Sequence, residues 1–453
     1  MSQESNYSRI GAVSIKELKE QMHIIEYNGF SSKYHQMNEE TCEWLKLNFG
    51  GTQTVVKRKD HEINIPVTEI QQGDILVKLN KFPEKLRKLT KVNQKLIAEF
   101  EQHGFKKFLV LKSVKNCTLS QEKQFKALDK ANFLVSKVKE SARLREEAAF
   151  AVENLFDNAR NGKINTKEIK QYAEKIIASE ATEAMTAILS LKESDQTYTH
   201  CIDVGAIFYS VYIESIKRNN RQSIFKNKHE ILVAAFLHDI GKSRIPKDLL
   251  DSPTRYEPDS KEMKLIRAHP TQSAKLLTMM RQPDYIVNMA HYHHVKFQSG
   301  LRSSYPPAIK YDQLLSETVL LSIVDIFQAL VGKRLYKNKW IPPAAMRYLD
   351  TLSDVEFDGN SWDEFVDIIG LYPVGSLLKL SDDSTAFVIG VSETDPSRPK
   401  VAVIRNKDGH DMKRHTFLDL EEIKDISISD ELDPIKVLGA NRLSVFENIN
   451  LVA

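Results

Sequence analysis

The residues most able to do chemistry are gathered around one string, His238-Asp239-Ile240-Gly241-Lys242. Seven of the 13 histidines, His200, His229, His238, His269, His291, His293 and His294, fall between residues 200 and 294, and Asp325 sits in an apolar run downstream. An adjacent His-Asp pair can do what a lone ligand cannot: the imidazole takes one divalent ion while the short carboxylate reaches a second ion a few Å away. That is the core of a two-metal hydrolytic site. Imidazole and carboxylate donors without cysteine suit iron, manganese, zinc or nickel.

Positioning such a set requires helices that project side chains inward. The apolar run 231–237 reads as a buried helix, and Gly241 reads as its terminator, which would leave His238 and Asp239 at an exposed end with Lys242 aimed at whatever the ions hold. His200 opens a stretch, 202–209, whose apolar positions recur at three and four; His269 lies between Ile266 and Pro270; His293 and His294 end the stretch 286–290. Asp325 falls within 319–327, so apolar a run that its carboxylate needs a partner. His291 reads as a neighbour of the ligands or a solvated residue, and His229 as a surface residue at a helix start.

The order His200, His238-Asp239 with Lys242, Ala268-His269-Pro270, His293-His294 and Asp325 resembles an HD-GYP domain, the branch of the HD phosphohydrolase superfamily that includes cyclic di-GMP phosphodiesterases. The resemblance runs from about residue 145 to the C-terminus, since Ile326-Phe327-Gln328-Ala329-Leu330 with Arg334, and the segment from Gly370 to Gly375, are similar to family signatures as well. It implies one ion on His200, His238, Asp239 and Asp325, and a second that shares Asp239 and takes His269, His293 and His294. The ions would be iron or manganese, with zinc and nickel as alternatives, and a hydroxide between them would be the nucleophile. The resemblance further implies catalytic roles for Asp239 and Lys242, substrate contacts from Lys242, Arg334 and Tyr305, and hydrolysis of cyclic di-GMP to linear pGpG, with or without onward cleavage to GMP. Cyclic GMP-AMP stays open as substrate. A catalytically weak cyclic-dinucleotide receptor and an HD-type nucleotide phosphohydrolase are the alternatives.

This sequence departs from the family pattern at three places. Where members continue HHExxDGxGYP, residues 293–306 read His-His-Val-Lys-Phe-Gln-Ser-Gly-Leu-Arg-Ser-Ser-Tyr-Pro, so only Tyr305-Pro306 remains of the name-giving motif. Ser304 enters positive φ less cheaply than Gly, which predicts a different loop path. Gln196 stands where some relatives carry a Glu for a third ion, which predicts two ions. Gln328 replaces the second Asp of DxxDAL, a change expected to weaken the hold on Lys242 or on substrate.

Composition frames these readings. A chain of 453 residues, 42% hydrophobic, has material for two to four folded domains. A net charge of +3 gives no global basic field, so DNA is not an expected partner. Cys42, Cys117 and Cys201 are scattered, which argues against a disulfide scaffold and for a reducing compartment. The polar start and the lack of an 18-residue apolar run predict a cytoplasmic protein without membrane insertion. The expected fold is multidomain α+β. Residues 1–118 form a small α/β domain that regulates or docks a signalling partner, with a tandem repeat over 13–57 and 65–112. Residues 119–150 form a helical linker able to mediate a homodimer, 151–370 an all-α HD-type helical bundle, and 371–453 a β-rich subdomain.

Overall fold

The computed structural model describes residues 8–14, 23–30, 46, 53–58, 61–69, 75–79, 105–113 and 119–452, apart from 164, 190, 192–196, 253–255, 308 and 333–339. Gln196 and Arg334 therefore lie outside the described residues. The chain divides into two compact units, 1–129 and 130–452.

The first unit contains β1 (Ser8–Ser14), β2 (His23–Phe30), β3 (Gln53–Arg58), β4 (His61–Pro66), β5 (Ile75–Leu79) and β6 (Phe105–Ser113). They form two three-stranded antiparallel sheets, ordered β1-β6-β2 and β4-β3-β5. Each central strand comes from the other half of the sequence: β6 ends the second predicted repeat yet lies between β1 and β2, and β3 ends the first yet lies between β4 and β5. Within the two repeats the residues around 43–46 and 96–99 read from the sequence as helical; they fall outside the described residues, except Lys46, which is helical.

A single 42-residue helix, α1 (Leu119–Arg160), occupies the predicted linker and continues past residue 150. Leu134, Val138, Ser141, Arg145, Ala148, Val152, Leu155 and Ala159 are buried along it at intervals of three and four, so its apolar stripe is a packed face. The second unit continues with α2 (Lys167–Ala178), α3 (Thr182–Ile188), α4 (Thr197–Arg218), α5 (Lys228–Leu237), α6 (Lys247–Leu250), α7 (Lys261–Arg267), α8 (His269–Met279), α9 (Asp284–Tyr292), α10 (Ser316–Val331), α11 (Pro342–Asp350) and α12 (Gly359–Ile369). Thirteen of the 16 residues of α10 are buried, which makes it the central helix of the bundle. The start of α5 is fixed by Asn227, whose side chain accepts from Glu230 N at 2.9 Å, so the helix phase that delivers His238 at the other end is set from the first turn.

Helix α5 stops at Leu237, and a 3-10 turn over Ile240–Arg244 follows. Gly241 is thus not the helix terminator, and His238 and Asp239 are not exposed: they are 0% and 1% accessible. Gly241 instead permits close approach. A Cβ there would lie 2.0 Å from His269 O and 2.4 Å from Ser273 N, while Gly241 N donates to Ser273 Oγ at 2.8 Å.

After α12 come β7 (Leu377–Leu380), β8 (Thr385–Gly390), β9 (Lys400–Arg405), β10 (Asp411–Asp419) and β11 (Ile428–Leu432), then two short helices and β12 (Leu451–Val452). The sheet order is β11-β7-β8-β9-β10-β12, antiparallel except for the β10–β12 pair. Gly375, at φ 89°, lets this region meet the bundle, because a Cβ there would sit 2.2 Å from Ala187 O. The second unit is therefore a helical domain with a C-terminal, mainly antiparallel sheet. Among the described residues no helix is long and apolar enough to cross a membrane.

Gly241→Ala should destabilise the protein by about 3 kcal/mol or more, the upper part of the overpacking range, because backbone rather than a flexible side chain must give way. A lowered Tm in thermal unfolding checks this; an unchanged Tm contradicts the close-approach role.

Candidate metal centre

Helix ends supply most of the candidate ligands. His238 caps α5 and Asp239 follows it; His269 opens α8 directly after α7; His293 caps α9 and His294 follows it. His200 and Asp325 come from inside α4 and α10. At three of these places the imidazole Nδ1 faces the carbonyl three residues earlier: His238 to Ala235 O at 2.7 Å, His269 to Ile266 O at 2.7 Å, and His293 to Ala290 O at 2.9 Å. Carbonyls in the last helical turn have lost their usual intrahelical partners and take such donors. A carbonyl only accepts, so Nδ1 carries a proton in each ring and Nε2 is the nitrogen aimed inward. His200 reaches the same state differently, with Nδ1 against Gln328 Oε1.

The inward atoms form two groups around Asp239. Its Oδ2 lies 3.4 Å from His238 Nε2 and 3.6 Å from His200 Nε2, and those two nitrogens lie 3.7 and 3.1 Å from Asp325 Oδ1. Its Oδ1 lies 3.0 Å from His269 Nε2 and 3.9 Å from His293 Nε2, with the two nitrogens 3.4 Å apart. His200, His238 and Asp325 bring donor atoms within 4.8 Å of one another, as do His269, His293 and His294, and as do His238, Asp239 and His293. Separations of this size are what donors about 2.0–2.2 Å from a common ion leave between them.

The electrostatics fit cations at the centre. Nε2 of His200 and of His238 and Oδ1 of Asp239 are buried without an aligned hydrogen-bond partner, a costly arrangement that a divalent ion would resolve. Burial opposes ionisation of Asp239, yet Lys242, His238 and His269 outweigh it and hold the carboxyl well below its usual range. Asp325 is likewise held low against its burial, by His200 and His238. Burial also opposes charge on His238, but Asp239 and Asp325 push it up to about 10, so between two carboxylates this imidazole holds a second proton that a bound metal would displace. His293 is pulled down to about 3 by burial and then by the charge of His238, and burial with His293 takes His294 well below the ordinary imidazole value. Neutral imidazole is the form that binds a metal.

Lys242 makes an ion pair with Asp239 Oδ2, at the edge of the group containing His200. Tyr305 lies on the other side, its ring 4.6 Å from that of His294 and 6.3 Å from that of His269, with the Arg267 guanidinium 5.8 Å from the Tyr305 centroid. His291 belongs to neither group: it is half-buried, stacked on Tyr292, with Nε2 3.4 Å from Thr271 Oγ1. His229 sits in the first turn of α5, also apart.

The altered loop after His294 is anchored by its own devices. Tyr305 N donates to His294 O at 3.2 Å, Lys296 N donates to Ser304 Oγ at 3.1 Å, and positive φ falls on Gly300 rather than on Ser304. Lys296, only 5% accessible, pairs with Glu356 at 3.0 Å. Sequence reasoning missed Arg267 and Lys296. A basic residue two positions before His269 was the available signal for the first; nothing local marks the second, whose partner lies 60 residues on. Gln328, expected near Lys242 or substrate, contacts His200 and Asp203 instead, because its position on α10 faces α4.

Lys296→Met should cost stability at the low end of about 3–5 kcal/mol, since Glu356 keeps some contact with water. It should also free the loop, read as a lower Tm together with faster tryptic cleavage at Arg302. Wild-type cleavage and Tm would contradict the anchoring role.

Residues 183–360 match the HD domain family, and residues 377–439 match the KOW domain associated with HD domain. The cyclic di-GMP phosphodiesterase PA4108 of Pseudomonas aeruginosa is 27% identical over 277 residues, 60% of this chain and 64% of that protein. The cyclic di-GMP phosphodiesterase response regulator RpfG of Xanthomonas campestris pv. campestris is 32% identical over 121 residues, 26% of this chain and 31% of that protein. The match thus spans less than two thirds of either relative's own length. Among solved structures the chain is similar to Bd1817, an HDG"Y"P protein from Bdellovibrio bacteriovorus, at TM-score 0.39 and 13% identity, covering 71% of this chain and 94% of that one. Residues 183–360 thus carry an HD domain, and the chain is similar over part of its length to cyclic di-GMP phosphodiesterases, which supports an HD-GYP-type protein.

Proposed function

We propose that this protein is a metal-dependent phosphodiesterase that opens a cyclic dinucleotide, cyclic di-GMP first among them, to linear pGpG. The observation that carries the reading is the two-sided placement of Asp239, whose Oδ2 faces His200 and His238 while Oδ1 faces His269 and His293. One ion would be held by His200, His238, Asp239 and Asp325, and a second by Asp239, His269, His293 and His294. Iron or manganese is the expected pair, with zinc or nickel as alternatives. Bound there, two divalent ions would lower the pKa of a water between them and stabilise negative charge on a phosphoryl oxygen.

The chain's own residues supply the rest. Nδ1 contacts to fixed acceptors keep the imidazoles oriented, so nothing need reorganise when substrate enters. Lys242, which pairs with Asp239, would meet a non-bridging phosphate oxygen, where charge grows during attack. Burial, with Asp325 and Asp239 adding to it, raises the Tyr305 phenol above its ordinary value, so it remains a hydrogen-bond donor to substrate at neutral pH. Ring opening needs one displacement at phosphorus: water oxygen bonds to P, the P–O3′ bond breaks, and the ribose oxygen takes the proton. The names of the relatives support cyclic di-GMP as substrate. An HD-type nucleotidase would need only the His200, His238, Asp239 and Asp325 set, and the group of His269, His293 and His294 argues against it. A receptor with little turnover is favoured by one feature, the rebuilt loop over residues 295–304.

Wild-type protein purified without oxygen or loaded with manganese should bind about two ions per chain and convert cyclic di-GMP to pGpG, and Asp239→Ala should lower the rate by about 10²–10³-fold or more. Metal analysis with chromatography of the products reads both. Two bound ions, tight binding and no turnover of any cyclic dinucleotide would replace the enzyme by the receptor.

A further inference from the structure

We infer that Arg145, Asp203 and Gln328 form a buried relay that fixes the tautomer of His200 and thereby its capacity to hold an ion, an inference that rests on the proposed role of His200. Arg145, Asp203, Gln328 and His200 are 3%, 2%, 4% and 7% accessible as residues, so bulk solvent hardly reaches them. Arg145, on α1, holds Asp203 with two bonds, Nε to Oδ1 at 2.5 Å and an Nη to Oδ2 at 2.7 Å. A carboxylate so paired accepts and does not donate.

Asp203 Oδ2 also receives Gln328 Nε2 at 3.2 Å. That contact decides which way the amide faces: Nε2 must point to Asp203, so Oε1 must point to His200 Nδ1, as it does. An amide oxygen only accepts, so the His200 proton sits on Nδ1 and Nε2 is bare toward Asp239 and Asp325. Direction is therefore passed from guanidinium to carboxylate to amide to imidazole. His238, His269 and His293 obtain the same tautomer from helix carbonyls, but His200 lies inside α4, where backbone carbonyls are already bonded.

The relay also accounts for Gln at 328, where the family pattern has Asp. A carboxylate at that place would confront Asp203 with like charge, whereas an amide alone satisfies an acceptor on one side and a donor on the other. Gln328 is accordingly a positioning residue, acting through His200 without touching substrate. Because Arg145 stands on α1, the relay couples the seating of that helix to the geometry of a metal ligand.

The test uses Gln328→Met, which keeps length and removes both polar ends while leaving the Arg145–Asp203 pair intact, with Gln328→Asn as a shorter amide unable to span both partners. Nitrogen NMR of metal-free full-length protein at about pH 8.5, roughly two units above the free imidazole value, reports the His200 tautomer without requiring activity. Wild type should show a protonated Nδ1; Gln328→Met should lose that proton and keep one on Nε2 alone. In manganese titrations one of the two ions should weaken by about 10–100-fold in Gln328→Met and Gln328→Asn while the other is unchanged. A His200 that keeps Nδ1–H and wild-type ion affinities in Gln328→Met overturns the relay. If His200→Ala binds two ions as tightly as wild type, the proposed ligand set fails, and the NMR result still decides whether Gln328 sets the tautomer.

Discussion

The arrangement of the bundle depends on a buried carboxylate, Asp239, placed so that its two oxygens serve different neighbours. Taking a carboxylate out of water is expensive unless cationic or donor groups surround it. Here Lys242 and four imidazoles provide that surrounding, and they come from four places: the α5 terminus with the turn after it, the α7–α8 junction, the α9 terminus and the first turn of α4. None of these elements could shift by a turn without leaving the charge uncompensated. The packing that fixes them is apolar and close, as at Gly241, where a turn bearing the site presses on the backbone of His269 and Ser273 with no space for a methyl group.

Using helix ends as ligand mounts has a physical logic. The last turn of a helix offers carbonyls without intrahelical partners, and an imidazole just beyond it can donate to one of them, which orients the ring and chooses its tautomer in one contact. His238, His269 and His293 share this device. His200 sits in the first turn of α4, with no helix end before it, and needs a different source of direction, which Gln328 of α10, Asp203 of α4 itself and Arg145 of α1 supply. One tautomer is thus reached by local backbone geometry in three cases and by tertiary contacts in the fourth.

The same distinction explains what could be read in the sequence. The spacing of His200, His238-Asp239, His269, His293-His294 and Asp325, and the apolar periodicity around them, pointed to helices and to clustered donors, because both are local patterns. Gly241 looked like a helix terminator because the space it vacates is filled by a segment about 30 residues away, which no local pattern reports. Nothing local marks Asp203, a polar residue in the apolar stretch 202–209, as a partner of Arg145, which lies 58 residues earlier. In the first unit the β-rich residue types at 54–57 and 108–111 mark the strands that end the two repeats, but not their exchange between sheets, because such a pattern says nothing of a strand's neighbours. The helix over 119–150, running into 152–156, was legible as well, but not what its apolar stripe covers, because periodicity marks a face without naming the surface it packs on.

The central claim, that Asp239 joins two ions, is most directly tested by electron paramagnetic resonance of the manganese-loaded protein. Ions that share a carboxylate a few Å apart are exchange-coupled, so the account predicts a coupled dimanganese spectrum that collapses to the pattern of isolated manganese in Asp239→Ala. Isolated-ion signals in the wild-type protein at full loading would contradict it.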